Sequence, residues 1–338
     1  MTERILVTGI SGFIAKHVAL QLLNRGYEVR GTLRALNKAE QVKRSLSEAG
    51  AEIGKLSFAA ADLSKDDGWE EACADCQGIM HIASPLPISQ PRDRMALVPA
   101  ARGGVLRVLS AGQKADRIVM TSSIAAMIYR PSRPAEITID ESDWTDPDWK
   151  KLSPYMVSKT LAEKAAWYTA TEGGYRHRMT TINPGLVVGP ALDDDIGASV
   201  ELIRLMIKGE YPAVPPISFP TVDVRDVAAL HVSAFERPET GGRRLIAAGE
   251  TASLLKIAQI IREAAPALAT KLPKRELPAL LVRIAAKFDT RLTSIIADLG
   301  TIPHADTGYV SDLTGVTFRN AREAVGANVA SLQKIKSV

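Results

Sequence analysis

Two hydrophobic rhythms take turns along the first half of the chain. Residues 4–9, Arg-Ile-Leu-Val-Thr-Gly, form a short apolar run with β-branched members, as a buried strand does. Residues 16–25 then place Val18, Leu22 and Leu23 on one side of a helix. The exchange repeats: strand 27–33, helix 40–49, strand 56–61, helix 67–74, strand 78–83, a long helix over 95–111 and a fifth strand at 117–121. Five such alternations with short connections predict a parallel sheet covered on both faces, with ligands received at the carboxyl ends of the strands.

The rhythm then changes. Residues 127–151 carry Pro131, Pro134 and Pro147 among acidic residues and read as an irregular surface loop. Ser153 and Pro154 are a cap and a first-turn residue for a helix that nothing breaks through Trp167. A sixth strand begins at Met179 and breaks into a Pro/Gly loop by Pro190. Beyond it the predicted elements are helix 199–208, a proline-rich loop over 211–220, helix 224–235, strand 244–248, and helices 254–264 and 277–288. Asp223 and Asp226 are capping candidates for the 224–235 helix.

Composition narrows the function classes. The 338 residues are long enough for a large core, in one unit or two. The net charge of +4 comes from 42 basic and 38 acidic residues with no basic block, so no nucleic-acid partner is expected. Met1-Thr-Glu-Arg4 leads straight into the first strand without a secretory signal, and a cytoplasmic location is expected. The most apolar late segment, 277–288, is too short to span a membrane and is interrupted by Arg283 and Lys287, so a packed helix and no membrane role are expected. Cys73 and Cys76 have no second pair with which to complete a zinc site; two reduced thiols and no metal are expected.

The first strand ends in Gly9-Ile-Ser-Gly12-Phe-Ile-Ala15. Glycines there let the backbone turn sharply and approach a pyrophosphate, while the free N–H groups at the helix start face it. Ala15 stands where a third small residue permits close helix–strand packing. Arg34, with no carboxylate beside it at the end of the second strand, argues for a 2′-phosphate and hence NADP. Lys38 either assists or is a solvated helix residue, and Asp62 either meets an adenine amino group or caps a turn. His81, in an apolar strand, and His231, in a helix, read as structural; His304 and Asp306 fall in a loop and have no assigned role. Thr121-Ser122-Ser123 stands at a carboxyl strand end, where such a sheet presents chemistry. Tyr155 and Lys159, four apart, share one helix face. A phenol with a pKa near about 10 is a poor acid or base at neutral pH, and an ammonium beside it would pull that value toward the working range.

These segments together resemble the extended short-chain dehydrogenase/reductase family, and more closely its dihydroflavonol-4-reductase-like branch, which includes cinnamoyl-CoA reductases and aldehyde or ketone reductases. The resemblance runs from Ile5 to about Ala248 and rests on Val7-Thr-Gly-Ile-Ser-Gly-Phe-Ile14, Gly31-Thr-Leu-Arg34, Asp62-Leu63, His81-Ile-Ala83, Val119-Met-Thr-Ser-Ser123, Tyr155-Met-Val-Ser-Lys-Thr-Leu-Ala-Glu-Lys164, Asn183-Pro-Gly-Leu-Val-Val-Gly-Pro190 and Val222-Asp-Val-Arg-Asp-Val-Ala228. It implies an α/β fold: a doubly wound parallel-sheet Rossmann domain over 1–190, with the chain returning near 221–248, and a smaller carboxyl-terminal α/β substrate domain over 191–338. It implies that Ser123 binds the substrate carbonyl, with Ser122 the alternate one register away, that Tyr155 supplies the proton, and that Lys159 lowers the tyrosine pKa and holds the nicotinamide ribose. For NADP(H) it implies contacts from Gly9, Ser11, Gly12, Phe13 and Ile14 at the phosphates and from Arg34 and Lys38 at the 2′-phosphate. Asp62 and Leu63 would flank the adenine, with Ala83, Ser84, Tyr155, Lys159, Pro184 and Val187 along the rest of the cofactor. Ala15 in place of the third glycine is the departure from the pattern.

The implied activity is NADPH-dependent reduction of a small or medium aldehyde or ketone, reversible as alcohol dehydrogenation. A nucleotide-sugar epimerase or dehydratase that retains NAD is the alternative; Arg34 opposes it, and Ile124-Ala125 follow Ser123 where dehydratases of that kind carry an Asp-Glu pair. A non-catalytic NADP sensor is a third reading, opposed by the intact Ser123, Tyr155 and Lys159. The partner expected is a small-molecule carbonyl substrate, with a homodimer left open and specificity placed in loops 85–94, 124–135 and 191–220.

Overall fold

Ile5 and Val7 pack into one apolar cluster and Leu6 into another, all three without solvent exposure, as a strand covered on both faces must. The structure, a computed structural model, describes residues 3–85, 91–288 and 290–335. Residues 86–90 of the expected specificity loop 85–94 lie outside the described residues.

The expected alternation is present as β1 (Arg4–Val7), α1 (Phe13–Asn24), β2 (Glu28–Leu33), α2 (Ala39–Glu48), β3 (Leu56–Ala60), α3 (Trp69–Cys73), β4 (Gly78–His81), α4 (Val98–Gly112) and β5 (Arg117–Thr121), with ends that differ from the sequence expectation by less than a helical turn. There follow β6 (Glu136–Ile139), α5 (Pro154–Glu172), β7 (Met179–Pro184), β8 (Leu186–Val188), α6 (Gly197–Lys208), β9 (Ser218–Asp223), α7 (Val224–Glu236) and β10 (Arg244–Ala247). The chain closes with β11 (Thr251–Ser253), α8 (Leu254–Ala264), α9 (Ala279–Ala285), α10 (Thr290–Thr293), β12 (Ile302–Ala305), α11 (Gly308–Thr314) and α12 (Ala321–Lys334).

Seven strands form one sheet in the order β10-β7-β5-β4-β1-β2-β3, every neighbouring pair parallel. Val18 and Leu22 of α1 meet Val227 and Leu230 of α7 on one face, and Val105 and Leu109 of α4 meet Ala162 and Ala166 of α5 on the other. The chain leaves β1 toward β2 and β3, then crosses back to β4. The order therefore reverses beside β1 and opens a crevice at the carboxyl ends.

Several expectations are corrected. The 127–151 stretch is not wholly irregular: β6 alternates exposed and buried residues and pairs with β12 some 160 residues later, Glu136 opposite Ile302. His304 therefore lies in a strand, where its Nε2 is 2.9 Å from Glu136 Oε1, and the Asp306 N–H donates to the Ile139 carbonyl. The sixth strand divides at Gly185, where a Cβ would collide with the Pro220 carbonyl, and β8 leaves the main sheet to pair with β9. β9 itself begins inside the expected 211–220 loop. Only Ala279–Ala285 of the 277–288 segment is α-helical. Asp223 caps α7 by accepting from the Arg225 N–H at 2.8 Å. Asp226 does not cap; it accepts from the Arg319 backbone N–H at 2.7 Å and pairs with the Arg319 side chain. α12 was not anticipated, although Asn320 and Glu323 form a capping box ahead of its buried Val325, Val329 and Leu332. Among the described residues no helix is long and apolar enough to cross a membrane, and no group of three metal-binding side chains occurs. Cys73 and Cys76 are free and buried, and burial pushes the Cys73 thiol up to about 12.

Candidate active site

The crevice is tied together by hydroxyls. The Thr8 hydroxyl oxygen accepts from the Ile82 and Ala83 N–H groups at 2.9 and 3.0 Å, so its own proton is left for His81 Nδ1 at 3.0 Å. Thr32 accepts from the Gly9 N–H at 2.9 Å. These contacts join the ends of β1, β2 and β4. Gly9 has φ +62°, and a Cβ there would stand 2.9 Å from that of Ala83, so both conformation and space demand glycine. Gly12 is the N-cap of α1, extended, with no side-chain cap and no acidic residue in the first turn. The amide end of α1 is thus left for a ligand, with its positive dipole end toward the crevice.

A cleft of about 690 Å³ runs along this edge. Gly9, Ser11, Gly12, Phe13 and Ile14 line it at the turn, and Arg34, Asp62 and Leu63 at one end. Ala83 and Ser84 line it beyond β4, and Pro184 and Val187 beyond β7. The two hydrogen bonds that Asp62 Oδ1 accepts from the Ser64 N–H and hydroxyl, both 2.8 Å, hold its carboxyl below the usual carboxylate range, and the charge of the exposed Arg34 adds a smaller effect in the same direction. Asp62 is thus a turn cap and a cleft residue at once. Lys38 does not line the cleft; it makes an exposed pair at 3.7 Å with Asp195.

Asp195 is one of several lining residues that sequence reasoning missed, with Gly197, Ala198 and Ser199 from the start of α6. Lys16, 1% exposed, anchors this segment through an ion pair with Asp193, whose other oxygen accepts from the Ser45 hydroxyl at 2.7 Å. The run Asp193-Asp-Asp195 before Gly197 was the available signal. Of the other specificity loops, Ile124, Ala125, Met127, Ile128 and Tyr129 pack inward into a third apolar cluster.

Ser123 lies two residues beyond β5 in extended conformation, and its Oγ accepts from the Ala125 N–H at 3.1 Å. Successive side chains of a strand point to opposite faces, and the Ser122 hydroxyl turns the other way to donate to Glu163 Oε2 at 2.5 Å. Both serines border the cleft, and of the two it is Ser123 that is hydrogen-bonded with Tyr155. Tyr155 is half-buried in the first turn of α5, and Lys159, buried, lies one turn on; both border the cleft.

Burial pushes the Tyr155 phenol up, with the Ser123 hydrogen bond opposing. That direction is contrary to the expectation that Lys159 would draw it down: loss of hydration dominates here. Lys159 is itself pulled from 10.5 to about 8 by burial, against the charge of Glu163. A phenol held above its ordinary value carries its proton at neutral pH, the state a general acid needs. His231 takes no part: its Nδ1–H donates to the Val227 carbonyl, so its Nε2 accepts from Thr121, and burial pulls it to about 4.

The sequence matches the model of the NAD dependent epimerase/dehydratase family over residues 5–249. It is 35% identical over 278 residues to a cinnamoyl-CoA reductase of Medicago truncatula, a match covering 80% of this chain and 83% of that protein. It is 30% identical over 351 residues to a ketoreductase of Aspergillus niger, covering 98% of each. Among solved structures, yeast methylglyoxal/isovaleraldehyde reductase complexed with NADPH is similar with a TM-score of 0.81 and 27% identity, over 99% of this chain and 100% of that one.

Proposed function

Since the chain belongs to the NAD dependent epimerase/dehydratase family, in the dihydroflavonol-4-reductase-like branch of the extended short-chain dehydrogenases/reductases, we propose that its cleft binds NADPH and reduces the carbonyl of a small or medium aldehyde or ketone to the alcohol. The observation that carries this reading is the meeting of Ser123, Tyr155 and Lys159 at one cleft whose other end is Arg34. Ile124 and Ala125 stand directly after Ser123, where a nucleotide-sugar dehydratase would carry an Asp-Glu pair, and this supports a reductase over that alternative. The chain beyond residue 190, apart from its return over 221–248, is assigned to the substrate side.

The residues suit the cofactor. The cradle at Gly9 would be filled by any Cβ, the end of α1 is uncapped, and the Arg34 guanidinium matches a 2′-phosphate, whereas an NAD site would carry a carboxylate there. NADPH, when bound, supplies the hydride. The Ser123 hydroxyl donates to the substrate oxygen and stabilises it as charge develops, an effect of the kind worth about 10²- to 10³-fold. Tyr155 passes its proton to that oxygen, for about 10²- to 10⁴-fold. The Lys159 ammonium stabilises the phenolate so formed and holds the nicotinamide ribose. In the reverse direction the same phenolate takes the alcohol proton.

Purified protein should consume NADPH only when an aldehyde or ketone is added, in step with alcohol formation. Tightly retained NAD with interconversion of nucleotide sugars would replace this reading with that of an epimerase.

A further inference from the structure

Behind the catalytic face, one turn after Lys159 on α5, Glu163 is completely buried. Its carboxylate accepts from five side chains. Oε2 takes the Ser122 hydroxyl at 2.5 Å and Asn183 Nδ2 at 2.8 Å; Oε1 takes Arg244 Nε at 2.7 Å, the Thr181 hydroxyl at 3.2 Å and Trp167 Nε1 at 3.3 Å. We propose that Glu163 is a positioning residue for carbonyl reduction, its carboxylate clamping the ends of β5 and β7 onto α5 directly behind Ser123, Tyr155 and Lys159. The proposal rests on the reading of Tyr155 and Lys159 as the catalytic pair.

The donors are what distinguish a clamp from a stray buried charge. Ser122 immediately precedes Ser123, and holding its hydroxyl on the rear face turns Ser123 toward the cleft. Asn183 immediately precedes Pro184, and its Nδ2 also donates to the Ser123 carbonyl at 3.2 Å, so one amide spans both strand ends. Arg244 comes from the edge strand β10, with its own Nη1 donating to the Glu141 and Asp143 carbonyls and its guanidinium 3.7 Å from the Trp144 ring centroid. Apolar residues often replace buried ion pairs without loss of stability, so stability by itself gives little reason for so elaborate a group.

Glu163 also supports the charge of Lys159 against burial. Tyr155 and Glu163 lie on the same helix as Lys159, while His81 faces it from β4 and is neutral, pulled to about 3 by burial and then by Lys159. Arg244, from β10, offsets part of the Glu163 charge. Without the carboxylate, Lys159 loses its proton at lower pH.

The test is the pH profile of kcat on one accepted aldehyde, with KM, NADPH affinity and melting temperature measured alongside. Glu163→Gln keeps the shape and removes the charge; it should lower kcat by about tenfold or more with aldehyde KM nearly unchanged, and move the basic limb of the profile to lower pH by about one unit. Ser122→Ala loosens one contact and keeps the charge, so kcat should fall a few-fold with the limb in place. A folded Glu163→Gln enzyme with the wild-type limb, or a Ser122→Ala limb that moves as far, overturns the proposal. Should Glu163→Gln not fold, Ser122→Ala combined with Asn183→Ala serves: it should lower kcat by about tenfold with the limb unmoved, and wild-type kcat would overturn the clamp. Tyr155→Phe separates the two levels. If it stays active, the catalytic reading itself fails; if it is inactive while Glu163→Gln behaves as wild type, only the clamp fails.

Discussion

Replacing Tyr155 with Phe deletes one oxygen and keeps a ring of nearly the same shape against Met156, Val157 and their neighbours in the third apolar cluster. What is lost from the folded state is the hydrogen bond with Ser123, whose Oγ keeps the Ala125 N–H. A single neutral hydrogen bond contributes about 0.5–1.5 kcal/mol net, so in a chain of this length the melting temperature should move by no more than about 3 °C. The transition state loses far more. Proton donation accounts for about 10²- to 10⁴-fold, or roughly 2.7–5.4 kcal/mol of barrier, and among the described residues no other side chain hydrogen-bonded with Ser123 carries a transferable proton. NADPH affinity should hardly change, because the phosphates and the 2′-phosphate are gripped elsewhere. Turnover of one aldehyde, NADPH fluorescence titration and a thermal melt on the same preparation separate these quantities. A variant that keeps more than about a tenth of wild-type kcat would show that another group donates the proton; one that loses activity only in proportion to its loss of folded protein would show that the phenol is structural.

Lys159→Met should lower activity and NADPH affinity together, since it removes both the ammonium behind the phenolate and a donor to the ribose; unchanged affinity counts against the second role. Ser123→Ala should cost about 10²- to 10³-fold in kcat with cofactor affinity intact, and Ser122→Ala much less, so equal effects would contradict the outward and inward directions of the two hydroxyls. Arg34→Asp should shift the NADPH-to-NADH preference by about 10- to 100-fold, the worth of a charge-assisted pair to phosphate, and a wild type indifferent to the 2′-phosphate would refute the assignment. His17, His81 and His231 are buried and neutral, pulled mainly by burial from 6.5 to about 4, 3 and 4. Their lowered folded values mean that stability is whole above about pH 6.5 and is lost as the pH falls toward 4, where the unfolded chain binds protons that the folded one refuses. Each group contributes up to about 1.4 kcal/mol per pH unit in that window, and a melting temperature flat from pH 6.5 to 4 would contradict it.

Much of the site was legible from local order along the chain. The strand–glycine–helix start, Arg34 at the end of β2 and the i, i+4 pair of Tyr155 and Lys159 are each set by residues within a few positions of one another, and backbone periodicity places them without knowledge of the rest. That is why all but one of the expected cofactor residues fall on one cleft. The exception, Lys38, makes an exposed pair with Asp195, more than 150 residues away in sequence. β6 escaped notice for the same reason: its alternation covers only four residues, and its partner β12 is brought up by the intervening chain. Which of the Ser122 and Ser123 hydroxyls meets Tyr155 depended on which one the buried Glu163 captures, and Glu163 in turn takes its charge partner from β10. The direction of the Tyr155 pKa was likewise beyond local pattern. Spacing brings an ammonium near a phenol, but how far burial strips both of water is a property of the packed whole, and here that loss outweighs the Ser123 hydrogen bond at Tyr155 and the Glu163 charge at Lys159.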